Sequence, residues 1–457
     1  MTAAHASAVP EGLAPGPRQR AMFGVALAVL LSVLDYAVVN VALPRIAISI
    51  HCTDSAAIWV INAYQLITVI ALLPVAALGD RVGHARMCRA GLGLFLVASV
   101  LCALSRTLPE LALARALQGF GGACILGVNA ALLRYIYPPA MLGRGIALNG
   151  LVIGLGVALG PTIAAAVLAV TTWPWLFLIN LPLGGAALYF TLSALPDTPR
   201  IPGGFDYVST LLIACAFGGL IVGGDRFAHA SAVGLSVALL AFGAAALAVL
   251  VLRQLGRPDP MLPVDLLARG GFRAAFVTGF TAFVASNFFI IPMPFTLMNV
   301  LHRGPVATGL LITPWPVAIV LVSPYVGRLA DRHSPLILST LGLCLTGTGF
   351  LLLRLMPPEP SNLDIAWRIF IAGAGFGLFQ PPNNKAMIGT VPRARVGGAS
   401  GMVSVARLLG QTVGGMAVAL TLGLVRHAPG QACLDFAAGC AYLAALFSLS
   451  RGLAREG

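Results

Sequence analysis

The chain has 457 residues, 58% of them hydrophobic and only 9% charged, with a formal net charge of +13 and a mean hydropathy of +0.93. A soluble domain carries roughly 25% charged residues, so a soluble enzyme, a disordered tail and a nucleic-acid binder are all poor fits. Its 52 Gly and 31 Pro follow no collagen-like or low-complexity order, a pairing at home in membrane helices; the composition is that of an all-α polytopic membrane protein.

A helix needs roughly 20 apolar residues to cross the hydrocarbon. That window predicts spans over 22–43, 57–78, 88–105, 108–132, 145–169, 174–195, 207–224, 231–252, 273–298, 307–327, 335–356, 365–388, 400–425 and 433–450. The first is too long for a cleavable signal peptide, holds Asp35 and lacks a small-residue cleavage site. Nineteen of the 28 basic residues fall in one set of loops and the two tails, from Arg18 and Arg20 to Arg451 and Arg455. Six (Arg45, Arg106, Arg226, Arg303, Arg354, Arg426) fall in the opposite loops, and Arg115, Arg368 and Arg407 lie inside spans. This bias places both termini in the cytoplasm, and it accounts for the positive charge without a nucleic-acid partner. The eight cysteines show no metal-ligand spacing and read as packing residues; Cys52 and Cys433, in outer loops, are the one pair for which a disulfide is weighed.

Three features recur along the chain. Asp80-Arg81-x-Gly83, after span 2, has a partner in Gly327-Arg328-Leu-Ala-Asp331-Arg332 after span 10, with Asp80 and Asp331 separated by 251 residues. Arg115, Gln118 and Gly119 in span 4 answer to Arg368 and Gly373 in span 12, at an offset of 253 for the arginines. Gly156-xxx-Gly160-Pro161 answers to Gly410-xxx-Gly414 at 254. A tandem repeat with the same membrane sense follows. Six spans with short loops take less chain than that offset, so spans 7 and 8 are an insertion. The expected domains are a tail (1–21), a six-helix bundle (22–200), a two-helix linker (201–255), a second six-helix bundle (256–452) and a short tail (453–457).

The loop pattern Asp80-Arg81-x-Gly83 resembles the signature loop of the major facilitator superfamily. Leu34-Asp35-Tyr36 through Asn40 to Pro44 resembles the first-helix motif of its fourteen-span drug:proton antiporter branch. Arg115-Ala-Leu-Gln118-Gly119 is similar to the fourth-helix motif, Gly156-xxx-Gly160-Pro161 to the antiporter motif of the fifth, and Trp173 through Asn180 to Gly184 is typical of the same branch. Departures stand at Ala76, Ser334, Ala164-Ala165 and Pro174. The resemblance implies a major facilitator fold of fourteen helices in a bacterial inner membrane, with protons, a small-molecule substrate and lipid as partners, no cofactor, no enzymatic activity, and a monomer as the expected state.

Asp35 is the one acid well inside a span, where a carboxylate is costly unless it is protonated, paired or facing water. Counted at 1.5 Å per residue, Asp35 and Arg115 fall at similar depth, and their pairing is expected either to load and release a proton or to act as a static strut. Asn287 stands 252 residues after Asp35, so the second half carries an uncharged counterpart. Trp59, Tyr64, Gln118, Asn287, Phe288, Phe289, Phe376, Phe379, Gln380 and Asn383 are expected around a cavity suited to amphipathic aromatic cations. Gly156, Gly160 and Pro161 are expected to seal that cavity through a close helix contact. Asp80, Arg81 and Gly83, with Gly327, Asp331 and Arg332, are expected to gate it, with Asp80 capping a helix and Arg81 as its charge partner. The function these residues favour is proton-coupled export of lipophilic cations by alternating access. A proton-coupled uptake symporter of the same fold is the nearest alternative, and a membrane-embedded enzyme a distant one.

Overall fold

A computed structural model describes residues 12–138, 141–200, 205–228, 233–255, 257, 260, 262–391, 395–425 and 427–453. The first half runs α1 (Pro15–Ile50), a helical turn (Asp54–Ala57) into α2 (Trp59–Val82), then α3 (His84–Leu104), α4 (Leu108–Ile136), α5 (Leu142–Val170) and α6 (Asn180–Ala194), which a turn at Trp175–Leu178 precedes. Two helices follow, α7 (Tyr207–Ala228) and α8 (Val233–Gln254). The second half holds α9 (Gly270–Ile290, prolonged through Pro292–Phe295 and Thr296–Val300), α10 (Pro314–Arg332, led by Pro305–Ile312), α11 (Pro335–Arg354), α12 (Asn362–Gly389), α13 (Val396–Leu424) and α14 (Pro429–Leu453). Among the described residues no strand occurs, and thirteen helices are long and apolar enough to cross a membrane. The remaining candidate, α12, has 28 residues but is diluted by Arg368, Gln380, the prolines beside it, Asn383, Asn384 and Lys385.

Local chemistry sets the helix ends. Pro15 opens α1 seven residues before the expected span, because proline suits a first helical turn whose N–H has no intrahelical acceptor. Arg18 and Arg20, expected in a tail, therefore ride on the helix. At α4 the Thr107 hydroxyl accepts from the Glu110 N–H while the Glu110 carboxylate accepts from the Thr107 N–H, a reciprocal cap. Between α2 and α3 the chain turns at Gly83 with φ +103°, a conformation that L side chains rarely adopt. All eight cysteines are free, so Cys52 and Cys433 form no bridge.

The repeat reappears as packing. In the first half α1 lies against α5 and α6, and α4 against α2 and α3; in the second, α9 lies against α13 and α14, and α12 against α10 and α11. The glycines explain how. A Cβ on Gly119 would sit 2.3 Å from the Tyr64 carbonyl oxygen, and one on Gly373 2.4 Å from that of Trp315. The same holds for Gly121 against Gly91 and Gly375 against Gly342. Such positions let helix backbones approach where lipid offers no hydrophobic drive for association. The inserted pair is asymmetric: α8 packs mainly on α7, whereas α7 also touches α2 and α13, at the seam between the halves.

Candidate functional site

A cavity of about 1710 Å³ lies between the halves. Its mouth is on the side where α1 begins and α14 ends, ringed by Asp80, Arg81, Arg134, Asp206, Arg257 and Arg395. The far side is closed by contacts that cross from one half to the other. The Tyr36 hydroxyl donates to Asn287 Oδ1 (3.3 Å), Ser55 Oγ donates to the Ala419 carbonyl (2.9 Å), and Thr162 and Thr313 bond through their hydroxyls (3.0 Å). Asn299 Nδ2 donates to Asp54 Oδ2 (3.1 Å). At Gly309 an added Cβ would lie 2.5 Å from the Pro161 carbonyl oxygen, so glycine lets the lead into α10 close on α5.

Asp35 and Arg115 meet in the first half. Arg115 Nη1 donates to Asp35 Oδ2 and to Gln118 Oε1 (2.6 Å), while its Nε donates to the Val60 carbonyl (2.9 Å). Asp35 Oδ1 accepts from Gln118 Nε2 (2.9 Å) and Asn180 Nδ2 (2.7 Å), and Ser99 Oγ accepts from Gln118 at 2.9 Å. Both side chains of the ion pair are 0% exposed. Arg115 Nη2 has no hydrogen-bond partner, but the guanidinium lies 4.4 Å from the centre of the Tyr64 ring, an attraction that strengthens when water is excluded. The five side chains of this cluster come from α1, α3, α4 and α6, and three of them, Arg115, Gln118 and Asn180, bond the Asp35 carboxylate, which would otherwise be costly to bury.

None of these five lines the cavity, whereas Tyr64 does. The Tyr64 ring covers Arg115, and its hydroxyl donates to the Ser32 carbonyl (3.4 Å). Gly119 and Gly122 make the room: a Cβ on Gly122 would sit 2.6 Å from the tyrosine oxygen. The charged couple and the cavity are therefore separated by one aromatic side chain.

Of the residues expected around the cavity, Tyr64, Phe376 and Gln380 line it. Gln118 belongs to the buried cluster, and Asn287 is buried in the inter-half closure, its Nδ2 donating to the Gln411 carbonyl. Phe288 packs on Phe436, Phe289 on Trp315 and Phe350, and Phe379 on Phe376. Asn383 Nδ2 donates to the Ala275 carbonyl (3.1 Å), and Trp59 heads α2 outside the cavity lining. Gly160 presses on α1, where an added Cβ would lie 2.3 Å from Ala37 Cβ, and Gly156 faces Leu30 and Val33. Asp80 pairs with His84 (3.2 Å), not with Arg81, because the turn at Gly83 brings the first residue of α3 back beside the end of α2; Arg81 lies 6.0 Å from the centre of the Phe205 ring. The side chains of Gly327, Asp331 and Arg332 lie outside the described residues.

Charges near the mouth are anchored. Arg86 and Arg89 bond Asp197 at 2.8 and 2.9 Å, and their hydrogen bonds hold its carboxyl below the usual range. Asp206 is brought down to about 2: partial burial opposes this, but bonds from Ser209 and the charges of Arg253 and Arg257 prevail. Sequence reasoning left out Ser99, Tyr36 and Arg407. Ser99 carried no signal. Tyr36 adjoined Asp35, and Arg407 was an arginine inside a span, which by itself marks a functional position.

The sequence model of the Major Facilitator Superfamily matches residues 25–415. The "Uncharacterized transporter YebQ" of Escherichia coli is 44% identical over 418 residues, covering 90% of this chain and 91% of that one. The "Multidrug resistance protein Stp" of Mycobacterium tuberculosis is 29% identical over 400 residues, covering 86% and 74%. Among solved structures, a POT family transporter in complex with 5-aminolevulinic acid superposes with a TM-score of 0.75 at 16% identity, over 96% of this chain and 97% of that one.

Proposed function

The chain belongs to the major facilitator superfamily and is a multi-pass membrane transporter, and from that premise we propose that it is a proton-coupled antiporter that exports amphipathic organic compounds by alternating access. One observation carries the reading: a carboxylate–arginine couple buried in one half, behind a tyrosine that faces a cavity open on one side only. In the proposed cycle Asp35 is the proton carrier and Arg115 its partner. An aspartate held by arginine suits the state that follows proton release and precedes substrate export. Bound substrate favours breaking of the cross-half contacts of Tyr36 and Asn287 and opening to the far side. There Asp35 takes a proton, which removes the charge that holds Arg115 and loosens α1 from α4. Protonation thereby returns the emptied cavity to the near side, where the proton leaves. The repeat supports a membrane-spanning α12, since it packs on α10 and α11 as α4 packs on α2 and α3. Fourteen spans with both termini in the cytoplasm then make the mouth cytoplasmic, as export requires.

In this reading Gly156, Gly160 and Pro161 seal the far side, and the Asp80–Gly83 and Gly327–Arg332 loops gate the near one. Relatives named for multidrug resistance support export. Each charge moved across 100 mV supplies about 2.3 kcal/mol, and a pH gradient adds to it. Dye efflux from cells expressing the protein tests the proposal: export should collapse when a proton uncoupler is added, and efflux that ignores the uncoupler would refute it.

A further inference from the structure

The aromatic residues of the sequence favour a cationic cargo, but the charges that the folded cavity presents do not. Among the described residues its wall holds Arg81, Arg134, Arg257, Arg395 and Arg407 against Asp80 and Asp206. Both acids are already engaged, Asp80 by His84 and Asp206 by Arg253 and Arg257. Arg395, at the mouth, is bonded to Asp265.

Arg407 differs from the others. It lies eleven residues into α13, near the middle of that helix, roughly 16 Å from its start. Among the described residues no carboxylate pairs with it, and it shares the cavity lining with Tyr64. An arginine at this depth normally finds a partner or a water-filled space; here it faces the cavity. A second side chain points to the same place. Gln65 is 2% exposed, lines the cavity, and has no hydrogen-bond partner at either end of its amide. The helices α2 and α13 run antiparallel, with Asn62 against Gly415 and Val69 and Leu72 beside Leu408. Gln65 therefore falls opposite Gln411, one helical turn (roughly 6 Å) from the Arg407 backbone, a gap that an arginine side chain spans. The cavity lining also carries Phe283, Trp315 and Phe376, whose rings pack together.

We propose that the cavity takes an amphipathic organic anion, its carboxylate or other oxyanion held by the guanidinium of Arg407 and the amide of Gln65, its apolar body against Phe283, Trp315 and Phe376. The proposal rests on the reading of this cavity as the transport cavity and adds the sign of the cargo. A buried guanidinium matches an oxyanion in charge and geometry, and an excess of arginine in a low-dielectric cleft raises the local concentration of anions. The same guanidinium repels a cation.

Binding of fluorescein and rhodamine 123 to the purified protein in nanodiscs separates the two signs on one xanthene scaffold. The wild type should bind fluorescein at least about tenfold more tightly than rhodamine 123. R407Q should weaken fluorescein binding about tenfold or more without weakening rhodamine 123, and R407K should recover part of the loss. Preference of the wild type for rhodamine 123, absence of fluorescein binding, or equal weakening of both dyes in a folded R407Q protein would overturn the proposal. Should R407Q not fold, the wild-type ratio decides. Nanodiscs carry no proton gradient, so a failure of proton coupling in vesicles leaves this result standing, and the reverse also holds.

Discussion

Tyr64 and Trp315 occupy matching places in the two halves, 251 residues apart, each with its carbonyl against a glycine of the neighbouring helix. Behind Tyr64 lies an ion pair, and behind Trp315 a stack of Phe289 and Phe350 at ring distances of 5.0 and 5.8 Å. The matching arginines diverge in the same way. Arg115 reaches from α4 to Asp35 on α1. Arg368 turns to Asp364, four residues earlier on its own helix (3.0 Å), with its side chain 13% exposed, and donates to the Leu352 carbonyl of α11. The ion pair of Arg368 stays within one helix, whereas that of Arg115 joins two and must respond when they move. The scaffold is thus held in common, and among the described residues the fully buried carboxylate–arginine pair lies in the first half.

The sharpest test of this asymmetry is to delete each arginine. Arg115→Ala leaves a buried carboxylate unpaired and should cost about 3–5 kcal/mol, whereas Arg368→Ala, which loses a partly exposed pair and one hydrogen bond, should cost about 1–2 kcal/mol. Unfolding of both variants in mixed micelles measures the difference; equal losses would mean that Arg115 is no more than a local staple.

A smaller effect is expected at the glycines that seat α5 on α1 and α13 on α9. An added Cβ at Gly160 meets Ala37 Cβ at 2.3 Å, and one at Gly414 meets Asn287 Cβ at 2.9 Å. Overpacking typically costs about 1–3 kcal/mol, so Gly160→Ala should lie at the upper end and Gly414→Ala at the lower. Thermal melting compares them, and the reverse order would break the link between these distances and the seal.

How much of this was legible in the sequence follows from what each residue needs. The spans were legible because hydrocarbon demands long apolar runs, and the repeat because close helix contact demands glycine at fixed places. Asp35 and Arg115 stood out because charge inside an apolar run is rare. Their partners did not: Asn180 and Ser99 are ordinary polar residues whose role depends on helices distant in the chain. The cavity wall was hardest to read. Phe288, Phe289 and Phe379 share helices with true lining residues, and only the rotation of each helix decides which ring faces inward. Helix α12 shows the converse, as its polar residues made its function conspicuous and its span less so.

The least effect is expected outside the membrane, at the clamp that ties α7 to α8. With the Asp206 carboxyl held at about 2 in the folded protein, its contribution is full above the unfolded carboxylate value of about 4 and is lost as pH falls through about 2. Asp206→Asn should therefore lower stability by the same small amount, under about 1 kcal/mol, at every pH from 5 to 8, read as a constant drop in melting temperature. A difference that grows across that range would show that the clamp titrates with transport.

The central claim is that Asp35 carries the coupling proton while its counterpart Asn287 serves only to close the far side. Purified wild type and Asp35→Asn, reconstituted in vesicles, should be compared for uphill substrate accumulation under an imposed pH gradient and for substrate exchange at equilibrium without one. The account predicts that Asp35→Asn loses gradient-driven accumulation at least about a hundredfold and keeps exchange within a few fold. Near-normal uphill accumulation by Asp35→Asn would contradict it.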